Sequence, residues 1–162
     1  MSEYIEIKGL ENFFKACDRL IDMDKHGESI LAGAGESIRN SIIDSFKNER
    51  SVFGGKWKSL KPATIKQKIK EGKNKGILKR DGELSKETNW QSEPTKNGVE
   101  VFNNIQTESG FKYGLTHQYG SKKRKIPARA FLPIDNNNVL HQSIRSVIYK
   151  DTKDFIARIA KK

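Results

Sequence analysis

The sequence predicts an α+β fold: N-terminal helices, an antiparallel β-meander with long basic loops, and a C-terminal helix. Three observations lead there. Apolar side chains recur at helical spacing near both ends of the chain. Between them, apolar and polar residues alternate around an Asn-Gly dipeptide, as in a hairpin. No internal repeat or low-complexity segment interrupts this order. At 162 residues, the chain suits a single domain over residues 1–162 with a real core.

The first helix is expected over residues 9–23. Leu10, Phe13, Phe14, Cys17, Leu20 and Ile21 form its apolar stripe, and Gly27 follows as a terminator. A second helix is expected from about Ser29 to Arg50, because Ile30, Ala34, Ile38, Ile42 and Phe46 step by four. Gly33 and Gly35 weaken its first turns by about 1 kcal/mol each relative to alanine, or else permit close packing. Gly54-Gly55 then turns the chain, and Pro62 sits in the first turn of a short helix containing Thr64, Ile65, Lys68 and Ile69. The stretch from Lys70 to Gly76 has almost no apolar content and reads as an exposed, mobile loop.

Asp81-Gly82 marks a turn, and Glu83 to Trp90 reads as a strand or a short helix. Lys96-Asn97-Gly98 is the strongest hairpin turn, since Asn-Gly favours the primed turn types, and the alternating strand Val99-Glu100-Val101 follows. Phe111, Tyr113 and Leu115 alternate likewise and predict another strand. Residues 130–133 read as an extended segment. Asn136, Asn137 and Asn138 offer caps for a C-terminal helix carrying Val139, Leu140, Ile144, Val147, Ile148, Phe155, Ile156 and Ile159.

The formal net charge is +11, and it is uneven. Residues 51–80 carry 10 basic and 1 acidic side chains, and residues 122–162 carry 11 and 3. The remaining segments, 1–50 and 81–121, are each net −3. The excess therefore sits from Lys56 to Arg80 and around Lys122, Lys123, Arg124 and Lys125. Such clusters attract polyanions or acidic protein faces; they also serve simply as solvated surface.

Several function classes drop out. No apolar run is long enough for a membrane span, and the N-terminus lacks the basic and apolar regions of a secretory signal. The single cysteine, Cys17, excludes an internal disulfide and reads as a core residue of the first helix. A reducing cytoplasm, or a particle assembled there, is the expected compartment. There is no GxSxG, Walker loop, HExxH or CxxC. His26, His117 and His141 have no second ligand at metal spacing, so no metal or cofactor is expected. A hydrolase with an unfamiliar site is the remaining enzymatic alternative, and no nucleophile–base pair supports it.

Four residues stand out as partner contacts: Trp57, Lys58, Tyr119 and Arg129. A Trp after a Gly-Gly turn is either an interface anchor or a buried pin for the loop. Arg129 pairs with an acidic group on a partner or within the chain. His117 and Gln118 are expected to satisfy buried backbone groups near Gly120. Lys122, Lys123, Arg124 and Lys125 are candidates for phosphate or DNA contact.

A series of short motifs runs along the chain. Phe46-Lys47-Asn48-Glu49-Arg50 leads into Gly55-Lys56-Trp57-Lys58-Ser59-Leu60, then Pro62-Ala63-Thr64 and Ile77-Leu78. Asp81-Gly82-Glu83-Leu84, Tyr113-Gly114, His117-Gln118-Tyr119-Gly120 and Ile126-Pro127-Ala128-Arg129-Ala130-Phe131-Leu132 follow. Their order and spacing, over about residues 30–150, resemble the phage virion morphogenesis family, the tail completion proteins of contractile-tailed phages such as Mu. Two departures are small: Arg80-Asp81-Gly82 replaces the Thr-Gly expected before the Leu, and Gly114 replaces a usual alanine. The resemblance implies a structural, non-enzymatic protein that completes the tail and enables head–tail joining. It implies tail-tube, terminator or head-connector proteins as partners and a ring-like homo-oligomer. It also implies a place at the head–tail junction or tail end of the virion, after assembly in the bacterial host cytoplasm. Basic loops facing the DNA exit path would meet viral DNA non-specifically. The alternative function is a nucleic-acid-binding module, with phosphates on the basic segments and bases stacked on Trp57 or Tyr119.

Overall fold

A computed structural model describes residues 8–11, 24–73, 76–107, 110 and 113–159. The predicted first helix, with Cys17, falls almost wholly outside them. The described residues form four α-helices and one two-stranded antiparallel sheet, an α+β fold. In order these are α1 (Asp24–Asn48), α2 (Pro62–Lys70), β1 (Gln91–Thr95), β2 (Gly98–Phe102), α3 (Tyr113–Tyr119) and α4 (Gln142–Ile159). Two single 3₁₀ turns, Glu83–Ser85 and Glu87–Asn89, precede β1. The chain folds as two compact units. Among the described residues, the first unit holds those up to Asn40, Gln91–Phe102 and those from Pro133 on; the second holds Ser41–Trp90 and Asn103–Leu132.

In the first unit, Ile30, Ala34 and Ile38 of α1 are buried, as their spacing requires. The hairpin pairs Gln91 with Phe102 and Thr95 with Gly98. Its loop is Lys96-Asn97, inside the expected turn, and neither residue has positive φ. The turn is therefore not of the primed kind. Pro94 is tolerated because a two-stranded sheet has only edge strands. A Cβ on Gly35 would lie 2.6 Å from Val99 Cγ2 and 2.9 Å from Ser92 Cβ. Gly35 thus permits the close approach of α1 to the hairpin, whereas Gly33 faces open space.

The C-terminal helix begins later than its caps suggest. Asn136–Asn138 instead form a turn in which Asp135 Oδ1 accepts from the backbone N–H of Asn137 and of Val139, at 2.8 and 2.9 Å. Val139 and Leu140 lie in isolated bridges with Lys8 and Ile134 rather than in the helix. His141 supplies the first turn: its carbonyl accepts from Ile144 and Arg145, and its Nδ1 accepts from Ser143 N–H at 3.3 Å. Leu140 and Ile148 are buried, while Val147, expected on the apolar stripe, is largely exposed.

The core of the second unit is aromatic. Phe46, at the end of α1, meets Trp57 edge-on at 5.5 Å and lies 5.0 Å from Phe131, ring centre to ring centre. Trp90 closes the cluster against Phe131 at 5.7 Å and donates Nε1–H to Leu84 O at 2.9 Å. Such pairs add about 0.5–1.5 kcal/mol each beyond their burial. The predicted meander is narrower in fact: among the described residues the hairpin is the only sheet. Tyr113 and Leu115, expected on a strand, belong to helix α3. A five-residue alternation does not separate strand from helix, and here packing decides. Gly114 stands in van der Waals reach of Leu84, where an alanine Cβ would sit 3.5 Å from Leu84 Cδ1.

Candidate functional site

The second unit carries an open groove of about 800 Å³. It is built where two segments distant in sequence meet. One wall is the chain from Lys58 to Leu60 with the Thr64–Gln67–Lys68 face of α2; the other is the end of α3 and the segment Gly120–Arg129. Nineteen residues line it: seven are Lys or Arg, and none is Asp or Glu. The two basic clusters of the sequence thus contribute to one surface.

Local structure explains the convergence. Helix α1 ends at Asn48, and Glu49 adopts φ +50°, reversing the chain. An antiparallel bridge between Arg50 and Lys56, with Trp57 N–H donating to Glu49 O at 2.9 Å, closes the Gly54-Gly55 loop. Trp57 is buried and donates Nε1–H to Ala130 O at 2.9 Å. That bond ties the first basic segment to the second. One residue further, Lys58 O accepts from Arg129 Nε at 2.9 Å.

On the opposite wall, Gln118 is buried, and its Oε1 accepts from the N–H groups of Phe131 and Leu132, both at 2.9 Å. His117 O accepts from Arg129 N–H at 2.7 Å. These bonds hold residues 129–132 extended beside α3. The chain leaves α3 through Gly120 at φ +76°, and a Cβ there would lie 2.7 Å from Ala128 N. Only glycine fits this return. Ser121 and Ile126 then exchange both backbone hydrogen bonds, at 2.8 and 2.9 Å, so Lys122–Lys125 form a tight four-residue tip.

The electrostatics are unusual at three side chains. Lys68 is 5% exposed, yet its Nζ donates to a carbonyl, Gly76 O, at 2.6 Å. Burial and then the nearby Arg80 push its pKa below the usual lysine range, and Glu49 and Asp81 oppose that shift. Arg129 is 7% exposed and likewise rests on a carbonyl; burial lowers its pKa. Carbonyls satisfy these donors without neutralising their charge, so both add to the positive potential of the groove. His117 faces the same groove, and its Nδ1 has no hydrogen-bond partner. Burial, reinforced by Arg129, holds its pKa below the ordinary histidine value.

The singled-out residues therefore separate. Trp57 and Arg129 are buried and join the two walls. Lys58 and Tyr119 are exposed at the groove, Tyr119 at 47%. Lys122 and Lys125 line it; Lys123 and Arg124 are exposed outside the lining. Sequence reasoning missed Lys68 as an inward-facing cation, and no linear signal marks it. Gln118 does satisfy buried backbone groups, as expected, whereas the His117 ring does not. Residues 71–73 are exposed, with Glu71 paired to Arg80 and Lys73 to Asp81. Among the described residues, no three His, Cys, Asp or Glu side chains cluster as a metal site, and no helix is long and apolar enough to cross a membrane.

An uncharacterized protein of Methanocaldococcus jannaschii is 42% identical over 79 residues, covering 48% of this chain and 54% of that protein. The chain thus spans about half the length of the curated relative it matches. No solved structure matches it. The model of the phage virion morphogenesis family matches residues 6–151. With a match across most of its length, this chain belongs to the phage virion morphogenesis family.

Proposed function

We propose that this protein is a non-enzymatic tail completion factor that acts late, preparing a finished phage tail to join a DNA-filled head. Family membership supports the setting. The observation that carries the reading is the groove: a concave, cationic surface without an acidic lining residue, held rigid by the Trp57, Gln118 and Arg129 hydrogen bonds. Such a surface suits docking to a tail-tube, terminator or connector protein at the head–tail junction, with copies arranged as a ring. Joining is tested by mixing filled heads and separate tails from a lysate lacking the gene with purified protein. Restored infectivity is the expected outcome, and unchanged titre contradicts it.

A second reading is non-specific nucleic-acid binding, favoured by the same seven cations. It requires DNA affinity that falls steeply with salt. No binding to a duplex at low salt eliminates it.

A further inference from the structure

We propose that the groove of the second unit binds a short extended peptide segment of a partner protein, acidic and interspersed with apolar side chains. The identity of the partner as a tail or connector protein rests on the head–tail joining reading; the chemistry of the occupant does not.

Three features define that chemistry. The first is charge. The ammonium groups of Lys58, Lys61, Lys122 and Lys125 are exposed and form no ion pair among the described residues. A ligand carboxylate meets them with no intramolecular pair to break. The second is the apolar part of the lining. Leu60, Leu78, Ile126 and Pro127 line the groove and are half-buried, so they offer contact area to Leu, Ile or Phe side chains. The third is size. A concavity of about 800 Å³ falls within the range of sites that enclose a small ligand or a few residues of extended chain.

Nucleic acid fits these features less well. A duplex presents phosphates on a convex surface and has no apolar side chains for Leu60 or Ile126. A single strand gains its affinity from successive bases stacked on aromatic rings. Among the lining residues Tyr119 is the only Tyr, Phe or Trp, and Trp57 is buried with its Nε1–H on Ala130. An acidic peptide uses both the lysines and the apolar lining; a phosphate backbone uses only the lysines.

The test selects a random ten-residue peptide library on the 162-residue chain, then measures the enriched peptides by fluorescence anisotropy. The expected result is enrichment of Asp or Glu interspersed with Leu, Ile or Phe. Lys122→Glu with Lys125→Glu then weakens binding about tenfold or more. Lys66→Glu with Lys70→Glu removes equal charge from exposed positions outside the groove and leaves affinity within about twofold. Three outcomes overturn the proposal: no acidic–apolar enrichment, equal weakening by both variant pairs, or a groove-dependent affinity for duplex DNA without peptide binding. All three are read on the isolated protein. Failure here leaves the joining reading standing, and normal particles without the gene would overturn joining while peptide binding persisted.

Discussion

Trp57 shows how one side chain sets the position of a surface. Its indole ring fills the aromatic core beside Phe46, and its N–H reaches Ala130 O from 73 positions away in sequence. Trp57→Phe keeps most of the ring contact but leaves the carbonyl without its donor. We predict a loss of about 1–3 kcal/mol in urea unfolding. His117 makes a prediction of the opposite kind, about pH. Its folded-state pKa is depressed below 6.5, so above about pH 6.5 both folded and unfolded forms are neutral. As pH falls through that value the unfolded chain takes up a proton that the folded chain resists. Stability therefore drops from about pH 6.5 downward, until the folded-state pKa is reached and the loss levels off. Unfolding midpoints at several pH values should show this slope in the parent protein and a shallower one in His117→Gln.

At the scale of elements, α1 was the most legible. Ile30, Ala34, Ile38, Ile42 and Phe46 are all buried, because a long helix with a step of four leaves one face to cover. The alternatives open at its two glycines resolve differently. Gly35→Ala should destabilise by about 1–3 kcal/mol, since its Cβ meets Val99 and Ser92. Gly33→Ala meets nothing and should stabilise by up to about 1 kcal/mol. Thermal melts of the two variants check both signs at once. Short elements were less legible. In α2 the lysine at 68 is inside while Ile69 is 53% exposed, because a carbonyl contributed by Gly76 decides the packing. The strand expected at Tyr113 is a helix, because that arrangement delivers Gln118 to the N–H groups of Phe131 and Leu132. Partners of this kind lie more than a turn away and leave no periodicity to read.

For the whole molecule, the sequence located the basic excess but not its convergence. Residues 56–80 and 122–125 are separate runs on paper. Trp57, Arg129 and Gly120 bring parts of both to one groove through bonds that only the folded chain reveals. The family resemblance was legible from ordered short motifs, several of which prove to be these same structural residues. Trp57, Gln118, Gly120, Arg129 and Phe131 shape the fold around the groove, while exposed lysines supply most of its charge. Assembly is decided by electron microscopy of lysates from a phage or prophage lacking this gene. DNA-filled heads lying beside complete, unattached tails are the expected result. Joined and infectious particles in that lysate would contradict it.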